Sequence, residues 1–331
     1  MQRILSLLIA RNKEYYRDRA SLMWSFVMPP LIIAIVALAF SRGDEAVFKV
    51  GVVTPDPALL EQVESFDAIQ IIHYDELAPA ITKVQYHQVD LLINDNHYWI
   101  NASSSKGKLL EQLLALKQSD QWQAQSIEGR EVRYVDWAIP GIISMNLMFS
   151  SLFGVGYVIV RYRKNGVLKR LQASPVRPIE FLTAQVLSRF IINIGVCTLV
   201  FITADLVLDF VMLGSYLTLL LVAGLGILSL LSLGLIIASR LASEELANGL
   251  LNVFVFPMML MSEVWFPLDG APRWMVYFSD FLPLTHMVQA ARAVMLDGAT
   301  LMQVSNHLLI LAGMTALFLL VSAALFRWRE S

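Results

Sequence analysis

The stretch YLTLLLVAGLGILSLLSLGLIIA, from Tyr216 to Ala238, contains 23 residues and no charged side chain. An α-helix of this length spans the ~30 Å hydrocarbon core of a lipid bilayer. Its glycines at positions 224, 226 and 234 are small residues of the kind that let membrane helices pack closely. The stretch therefore predicts a transmembrane helix that packs against other helices.

Apolar runs of similar length recur along the chain, and the composition agrees with them. The 331 residues are 56% hydrophobic and 16% charged, which is more apolar side chain than one soluble core buries. The further runs are residues 22–40, 137–160, 181–206, 250–266 and 308–326. We therefore predict an α-helical polytopic membrane protein with about six transmembrane helices.

The distribution of Lys and Arg predicts the orientation of the chain. Basic residues precede the first run, occupy the loop 161–177 and return in the tail at Arg327 and Arg329. Loops rich in Lys and Arg stay on the cytoplasmic side, so both termini are expected there. Residues 1–21 place an apolar stretch before a basic and aromatic one, which predicts a cytoplasmic helix at the bilayer surface. The run 22–40 is too long for a cleaved signal peptide and is expected to remain as the first transmembrane helix.

A water-facing segment, residues 41–136, separates the first two runs. Its strand-like patterns alternate with helical ones, which favours a compact α/β domain, and the charge rule places that domain outside the cytoplasm. The strand-like stretches are 46–53, 69–73, 89–94 and 97–101, and the helical ones are 57–66, 76–88 and 106–118. Asp95 and Asn96, between two short strands, predict a hairpin turn.

The segment 267–295, before the last run, carries prolines and aromatic residues and is too short for two crossings. It predicts short helices that enter the outer leaflet and turn back. Glu263 and Arg292 lie beside and within this segment, and each charge is costly near lipid unless it finds a partner. They form a candidate pair near the outer surface, the alternative being that Glu263 is simply hydrated there.

The sequence offers no site for covalent chemistry. Cys197 is the single cysteine, which excludes a disulfide framework and a multi-cysteine metal site. The histidines have no ligand spacing, and the serines at 103–105 lack a G-x-S-x-G elbow. A G-x-x-x-x-G-K-[ST] motif for nucleotide binding is missing as well. We therefore expect no catalytic residue, no bound cofactor or metal, and no nucleic-acid partner.

The loop after the second run, RYRKNGVLKRLQASPV at residues 161–176, is short, basic and patterned. Gly166 permits a turn, and Val167, Leu168 and Leu171 lie on one face of a helix that Pro175 ends. A loop that only sets the topology is the alternative.

This loop resembles a motif of the type 2 permeases of ATP-binding cassette exporters, R-x-x-G-x-L-x-R-L-x-x-[ST]-P followed by a charged or polar residue. The matching residues are Arg163, Gly166, Leu168, Arg170, Leu171, Ser174, Pro175 and Glu180. A second resemblance precedes the last run, in Phe266-Pro267 with Pro272, Trp274, Pro283, Leu284 and Arg292. Asn165, Lys169 and Ala184-Gln185 depart from the residues common in the family. With the pattern of spans, the resemblance extends over nearly the whole chain.

The resemblance implies a permease subunit that moves a substrate out of the cytoplasm or inner leaflet across a bacterial inner membrane. It implies that the loop docks on a separate ATPase, which uses ATP and Mg, and that two permeases, identical or homologous, assemble with two ATPases. The outer domain could bind a periplasmic adaptor. Apart from the resemblance, Glu263 and Arg292 are the candidate pair for an outer gate. The implied coupling residues are Arg163, Lys164, Gly166, Leu168, Lys169, Arg170, Leu171, Ser174 and Pro175.

Two other functions stay open at this point. A membrane sensor with an outer ligand-binding domain would need a cytoplasmic output domain, and none of the cytoplasmic segments has that length. An ion-driven carrier would more often place carboxylates at mid-membrane depth, whereas the charges here fall near the ends of the apolar runs.

Overall fold

The computed structural model of the chain describes residues 2–39, 48–53, 69–94, 97–117, 123–127, 133–239, 241, 243–268 and 271–326. The chain divides into two compact units, a helical unit of Met1–Ala37 with Asp136–Ser331 and an α/β unit of Leu38–Val135. The predicted helix at 57–66, the Asp95-Asn96 turn and the tail with Arg327 and Arg329 lie outside the described residues.

The helical unit begins with α1 (Gln2–Arg17) and α2 (Arg19–Ala39), which continues through Pro29 and Pro30. On α1 the side chains of Arg11 and Tyr15 are buried, whereas Leu5 and Ile9 are exposed. Exposed apolar residues next to basic ones suit the boundary between lipid headgroups and acyl chains. The geometry of α1 is therefore compatible with a helix at the bilayer surface.

The α/β unit contains five strands and two helices among its described residues. They are β1 (Phe48–Val52), β2 (Ile69–His73), α3 (Leu77–Gln85), β3 (Leu91–Asn94), β4 (His97–Asn101), α4 (Ser105–Lys117) and β5 (Gln123–Ile127). The sheet has the order β2-β1-β3-β4-β5, and its pairs are parallel except for β3 with β4. That antiparallel pair is the one expected on either side of the predicted hairpin turn.

Apolar side chains cover both faces of this sheet, as a largely parallel sheet requires. Val52 and Ile93 pack with Leu110 of α4, and Leu92 packs with Val84 of α3 on the other face. The unit therefore has three layers. The sequence pattern misses β5, because its residues QAQSI include a single β-branched side chain and do not alternate clearly in polarity.

The rest of the helical unit consists of helices of very different lengths. They are α5 (Tyr134–Lys164), α6 (Val167–Gln172), α7 (Pro178–Leu208), α8 (Tyr216–Ala238), α9 (Glu244–Met261), α10 (Arg273–Ser279), α11 (Pro283–Leu296) and α12 (Ser305–Leu325). Among the described residues, four helices are long and apolar enough to cross a membrane, namely α5, α7, α8 and α12. The apolar part of α2 is shorter, at Ser25–Ala37. This helical content fits a polytopic membrane protein.

The helix bounds differ from the apolar runs in two cases: polar residues can continue a helix beyond its run, and a turn can end a helix before the run ends. α8 has the predicted bounds, whereas α5 extends beyond the predicted run 137–160 at both ends. α9 ends at Met261, before the predicted end at 266, because the chain turns at Glu263, whose φ is 55°. The segment 267–295 contains α10 and α11, and α11 with 14 residues is about 21 Å long, too short to cross the bilayer.

α8 lies at the centre of the helical unit, where it packs against α7, α9, α11 and α12. Gly226 permits this packing, because a Cβ there would clash with the sulfur of Met287 on α11. Gly234 similarly admits α5, since its Cβ would lie 3.2 Å from the carbonyl oxygen of Leu152. The small residues of α8 thus serve close helix packing.

Candidate functional site

A short helix, α6, connects the long helices α5 and α7. Gly166 precedes it with a φ of 70°, a left-handed conformation that glycine adopts without strain. Nothing described lies within 4 Å of the position a Cβ would take, so the backbone conformation and not crowding requires glycine. α6 ends at Gln172, before Pro175, and the Ser174 hydroxyl donates to the Leu171 carbonyl at 2.6 Å.

Arg163 fixes this loop to the far end of α8. Its guanidinium donates to the carbonyl oxygens of Ala238 at 3.1 Å and Ser239 at 3.0 Å, and also to that of Leu241. These carbonyls lie at the C-terminus of a helix, where oxygens lack helical partners and a cation is favourable. Arg163 and Leu168 are both buried within the chain, so they hold the loop in place and offer little surface to another protein.

The other predicted coupling residues lie at the surface of the loop or partly so. Lys164, Lys169, Arg170 and Pro175 are exposed, and Gly166, Leu171 and Ser174 are half-buried. Lys169 and Arg170 make no ion pair within the described part of the chain. Their charges are therefore available to an acidic partner surface.

Lys164 instead pairs with the start of α9. Its Nζ lies 3.4 Å from Oε1 of Glu244, and the other carboxylate oxygen, Oε2, accepts a hydrogen bond from the Tyr157 hydroxyl. The bond from Tyr157, followed by the one from Lys164, lowers the pKa of Glu244. The hydrogen bond with Ser243 likewise lowers the pKa of Glu245. Both glutamates therefore stay ionised at neutral pH, beside the basic loop. The sequence does not predict this contact, because no pattern in it indicates that the two loops lie together.

The N-terminal helix also contacts the loop. Nη1 of Arg3 on α1 donates to the carbonyl oxygen of Pro175 at 2.6 Å. Farther along α1, Arg11 donates to Oε2 of Glu14 at 2.9 Å and to the Tyr162 hydroxyl at 3.3 Å near the end of α5. The loop is thus attached to α1 as well as to α8.

Glu263 and Arg292 meet directly in a second polar cluster. Nη1 of Arg292 lies 3.2 Å from Oε2 of Glu263, and Nη2 donates to the Glu263 carbonyl at 2.8 Å. The Arg292 side chain is 11% exposed and the Glu263 side chain is 20% exposed, so the pair is largely removed from solvent. The structure therefore brings together the two charges that the sequence proposes as partners.

Neighbouring groups that the sequence does not predict complete this cluster. Nε of Arg292 donates to the Trp137 carbonyl at 3.3 Å, and its guanidinium carbon lies 3.8 Å from the centre of the Trp137 ring. Gln289 donates to Oε1 of Glu263 at 3.4 Å. The positive φ of Glu263 is an unfavourable backbone conformation that these contacts maintain. The cluster joins α5, α11 and the turn after α9.

The described residues contain no group of three or more His, Cys, Asp or Glu side chains that could hold a metal ion. The nearest pair is His286 with His307, whose Nδ1 atoms lie 3.1 Å apart, while Nε2 of His286 contacts the Asp280 carbonyl at 2.8 Å. Two ligands are too few for a structural zinc site. The candidate functional features of the helical unit are the basic loop with α6 and the cluster of Glu263 and Arg292.

Comparison with known proteins assigns a family to this arrangement. The family model of ABC-2 type transporters matches residues 92–296, which is more than half of the chain. ABC transporter G family member 20 of Dictyostelium discoideum is 27% identical over 172 residues, 51% of this chain and 23% of that protein. Linearmycin resistance permease protein LnrN of Bacillus subtilis is 24% identical over 156 residues, 47% of this chain and 40% of that protein. The Escherichia coli protein named Probable multidrug ABC transporter permease YbhR is 24% identical over 198 residues, 59% of this chain and 53% of that protein.

The matched region of this chain thus spans between 23% and 53% of the length of these relatives. The family match runs from β3 to the end of α11, and so includes the loop with α6 and the cluster of Glu263 and Arg292. The apolar helices of the chain agree with a membrane component. The chain therefore belongs to the ABC-2 type transporter family.

Proposed function

We propose that this chain is the transmembrane subunit of an ATP-driven exporter, and that the loop 161–177 transmits the action of a separate ATPase to it. The observation that carries the proposal is the exposed basic surface of Lys169 and Arg170 on a loop that Arg163 fixes to α8. A docking surface of this kind needs exposed charge on a rigid support, and the loop has both.

The family supports the proposed direction of transport and the proposed assembly. Two relatives are named for linearmycin resistance and for multidrug transport, which supports outward movement of a substrate from the cytoplasm or inner leaflet. Because the sequence lacks a nucleotide-binding motif, ATP and Mg would be bound by the partner ATPase. Two permeases, identical or homologous, would assemble with two ATPases in a bacterial inner membrane. The α/β unit would lie outside the cytoplasm, where a periplasmic adaptor could bind it.

The contacts of the loop give this proposal a mechanical route. Movement of α6 with the ATPase would be passed to the end of α8 through Arg163 and to α1 through Arg3. α8 in turn packs against α11, which carries Arg292. Because packed helices move as rigid elements, a shift at the loop would reach the pair of Glu263 and Arg292, which we propose as an outer gate.

Charge reversal on α6 tests the docking surface. We expect the double variant Lys169→Glu with Arg170→Glu to insert normally but to retain about tenfold less of the ATPase during purification in mild detergent. The reason is that two exposed positive charges become negative while the buried supports of the loop are unchanged. ATP hydrolysis stimulated by substrate in reconstituted vesicles should fall in parallel.

The control carries the same change of net charge on the α/β unit. Lys106→Glu with Lys108→Glu alters two lysines of α4 and should leave both ATPase retention and stimulated hydrolysis within about twofold of the wild type. If both double variants behaved like the wild type, α6 would not be the ATPase contact.

The proposed topology predicts opposite accessibility for the α/β unit and the loop. With Cys197 replaced by alanine, a cysteine at exposed Ser103 should react with an impermeant maleimide in spheroplasts. A cysteine at Gln172, which is exposed at the end of α6, should react after the membrane is permeabilised and not before. Gln172 is preferable to Gly166, whose positive φ a cysteine would strain. Labelling of Gln172→Cys in intact spheroplasts would reverse the orientation.

A further inference from the structure

Four buried polar atoms without hydrogen-bond partners gather where α1 packs against α7. They are Nε of Arg11, the hydroxyl of Tyr15, Oε1 of Gln185 and Nε of Arg189. Arg11 and Tyr15 are four residues apart on α1, and Gln185 and Arg189 are four residues apart on α7. This spacing puts each pair on one helix face, and the two helices are in contact. Buried polar groups normally have hydrogen-bond partners, so four buried polar atoms without partners at one helix contact indicate a missing ligand.

Arg189 is the centre of this cluster. It is 8% exposed, and its Nε has no hydrogen-bond partner within the described part of the chain. Its guanidinium carbon lies 4.9 Å from the centre of the Tyr15 ring. Gly154 on α5 makes room for it, because a Cβ at that position would stand 3.0 Å from Nε of Arg189. The fold thus provides space for a guanidinium without providing an acceptor for its Nε among the described residues.

The charges of the cluster favour an anion over water. Arg11 and Arg189 carry two positive charges, whereas Glu14 supplies one negative charge and is already used by Arg11 and by the Tyr162 hydroxyl. Arg11 also donates to the neutral Gly154 carbonyl at 3.4 Å, so among the described residues of the cluster one positive charge remains without an acidic partner. A water molecule can accept hydrogen bonds but cannot neutralise charge, whereas a phosphate does both and matches the fork of a guanidinium.

The surroundings indicate that the anion belongs to a lipid. The outer faces of α7 and α1, opposite the cluster, carry exposed apolar side chains: Leu187 and Ile191 are 40% and 48% exposed, and Leu5 and Ile9 are exposed too. Such side chains face acyl chains in a membrane helix, and a basic surface helix lies at the depth of the headgroups. The seam between α1 and α7 therefore lies between two helices whose outer faces meet lipid, and the anion available at headgroup depth is the phosphate of a lipid.

We propose that Arg189 and Arg11, together with the Tyr15 hydroxyl, bind the phosphate of an anionic phospholipid between α1 and α7. Oε1 of Gln185 would accept a hydrogen bond from a headgroup hydroxyl, such as that of phosphatidylglycerol. The bound lipid would hold α1 against α7, and α1 carries Arg3, which contacts the loop. The site stands independently of the ATPase proposal, because it rests on contacts of this chain alone.

Binding of defined lipids to the full chain, purified in detergent and stripped of native lipid, tests the site. Phosphatidylglycerol should raise the thermal unfolding midpoint of the wild type, and diacylglycerol, which has the same chains and no phosphate, should not. The affinity for phosphatidylglycerol should fall about tenfold in Arg189→Gln, the loss expected for a charge-assisted hydrogen bond. The matched control Lys13→Gln removes an exposed charge of α1 and should stay within about twofold.

Other outcomes would overturn the assignment. Equal stabilisation by phosphatidylglycerol and diacylglycerol, or equal affinity of the wild type and Arg189→Gln, would mean that water alone serves the cluster. Displacement of the lipid by millimolar inorganic phosphate, with the same stabilisation, would identify a free phosphate site. If Arg189→Gln does not fold, the comparison of phosphatidylglycerol with diacylglycerol on the wild type tests the site. Arg189→Lys should then bind phosphatidylglycerol with an affinity below that of the wild type, because it keeps the charge and loses the fork.

Discussion

Replacing Arg163 by methionine is expected to lower the free energy of unfolding of the helical unit by about 3 kcal/mol. The guanidinium is buried and donates to the last carbonyl oxygens around the end of α8, at Ala238, Ser239 and Leu241. Methionine fills a similar volume but leaves those oxygens without a donor. Unfolding by sodium dodecyl sulfate in mixed micelles measures the loss.

The matched control for this change is Arg161→Met, two residues earlier on α5 and exposed. A surface substitution of this kind should change the stability by less than about 0.5 kcal/mol. Arg163→Lys keeps the charge but loses the fork, so its loss should lie between the two. Equal stability of the two methionine variants, with ATPase retention lost only in Arg163→Met, would make Arg163 a docking residue.

A double-mutant cycle on Glu263 and Arg292 is expected to show a coupling energy of about 1–3 kcal/mol. Arg292→Gln should cost more than Glu263→Gln, because Arg292 also donates to the carbonyls of Glu263 and Trp137 and stacks on the Trp137 ring. A glutamine at position 263 keeps an oxygen that the guanidinium can use. Once one partner is gone, removing the second should cost less, since no buried charge is then left alone.

The cycle is scored by stability in mixed micelles and by transport in vesicles. Arg273→Gln, an exposed arginine of α10, is the control and should leave both values near those of the wild type. Strictly additive losses from the two substitutions would show that the charges do not interact. Normal transport by a destabilised double variant would assign the pair to structure and remove it from the proposed gate.

The sequence predicts elements best where one physical signal acts alone. The bounds of α8 agree because every residue from 216 to 238 is uncharged and both ends meet polar residues. α5 is longer than its apolar run because Arg161, Arg163 and Lys164 continue the helix beyond the hydrocarbon, where hydropathy no longer reports on helix length. β5 forms because it pairs with the edge of β4, and the segment QAQSI does not predict a strand by itself.

The candidate sites divide in the same way. Pairing of Glu263 with Arg292 is predictable, since charges near lipid need partners and few are available. The roles of the residues within the loop are not predictable, because a basic sequence pattern does not indicate which side chain is buried. Arg163 and Lys169 look alike in sequence, yet one bonds to the end of α8 and the other is exposed. Only the position of α8 separates them.

The central place of α8 has a consequence for how the protein is made. Its partners α11 and α12 follow it in the chain, at residues 283–296 and 305–325. During synthesis, therefore, α8 enters the bilayer well before the helices that cover Gly226 and its neighbours exist. Until Leu325 has emerged from the ribosome, the glycine face of α8 must contact lipids or insertion factors in place of these helices. Assembly of the helical unit is therefore a late event in biogenesis.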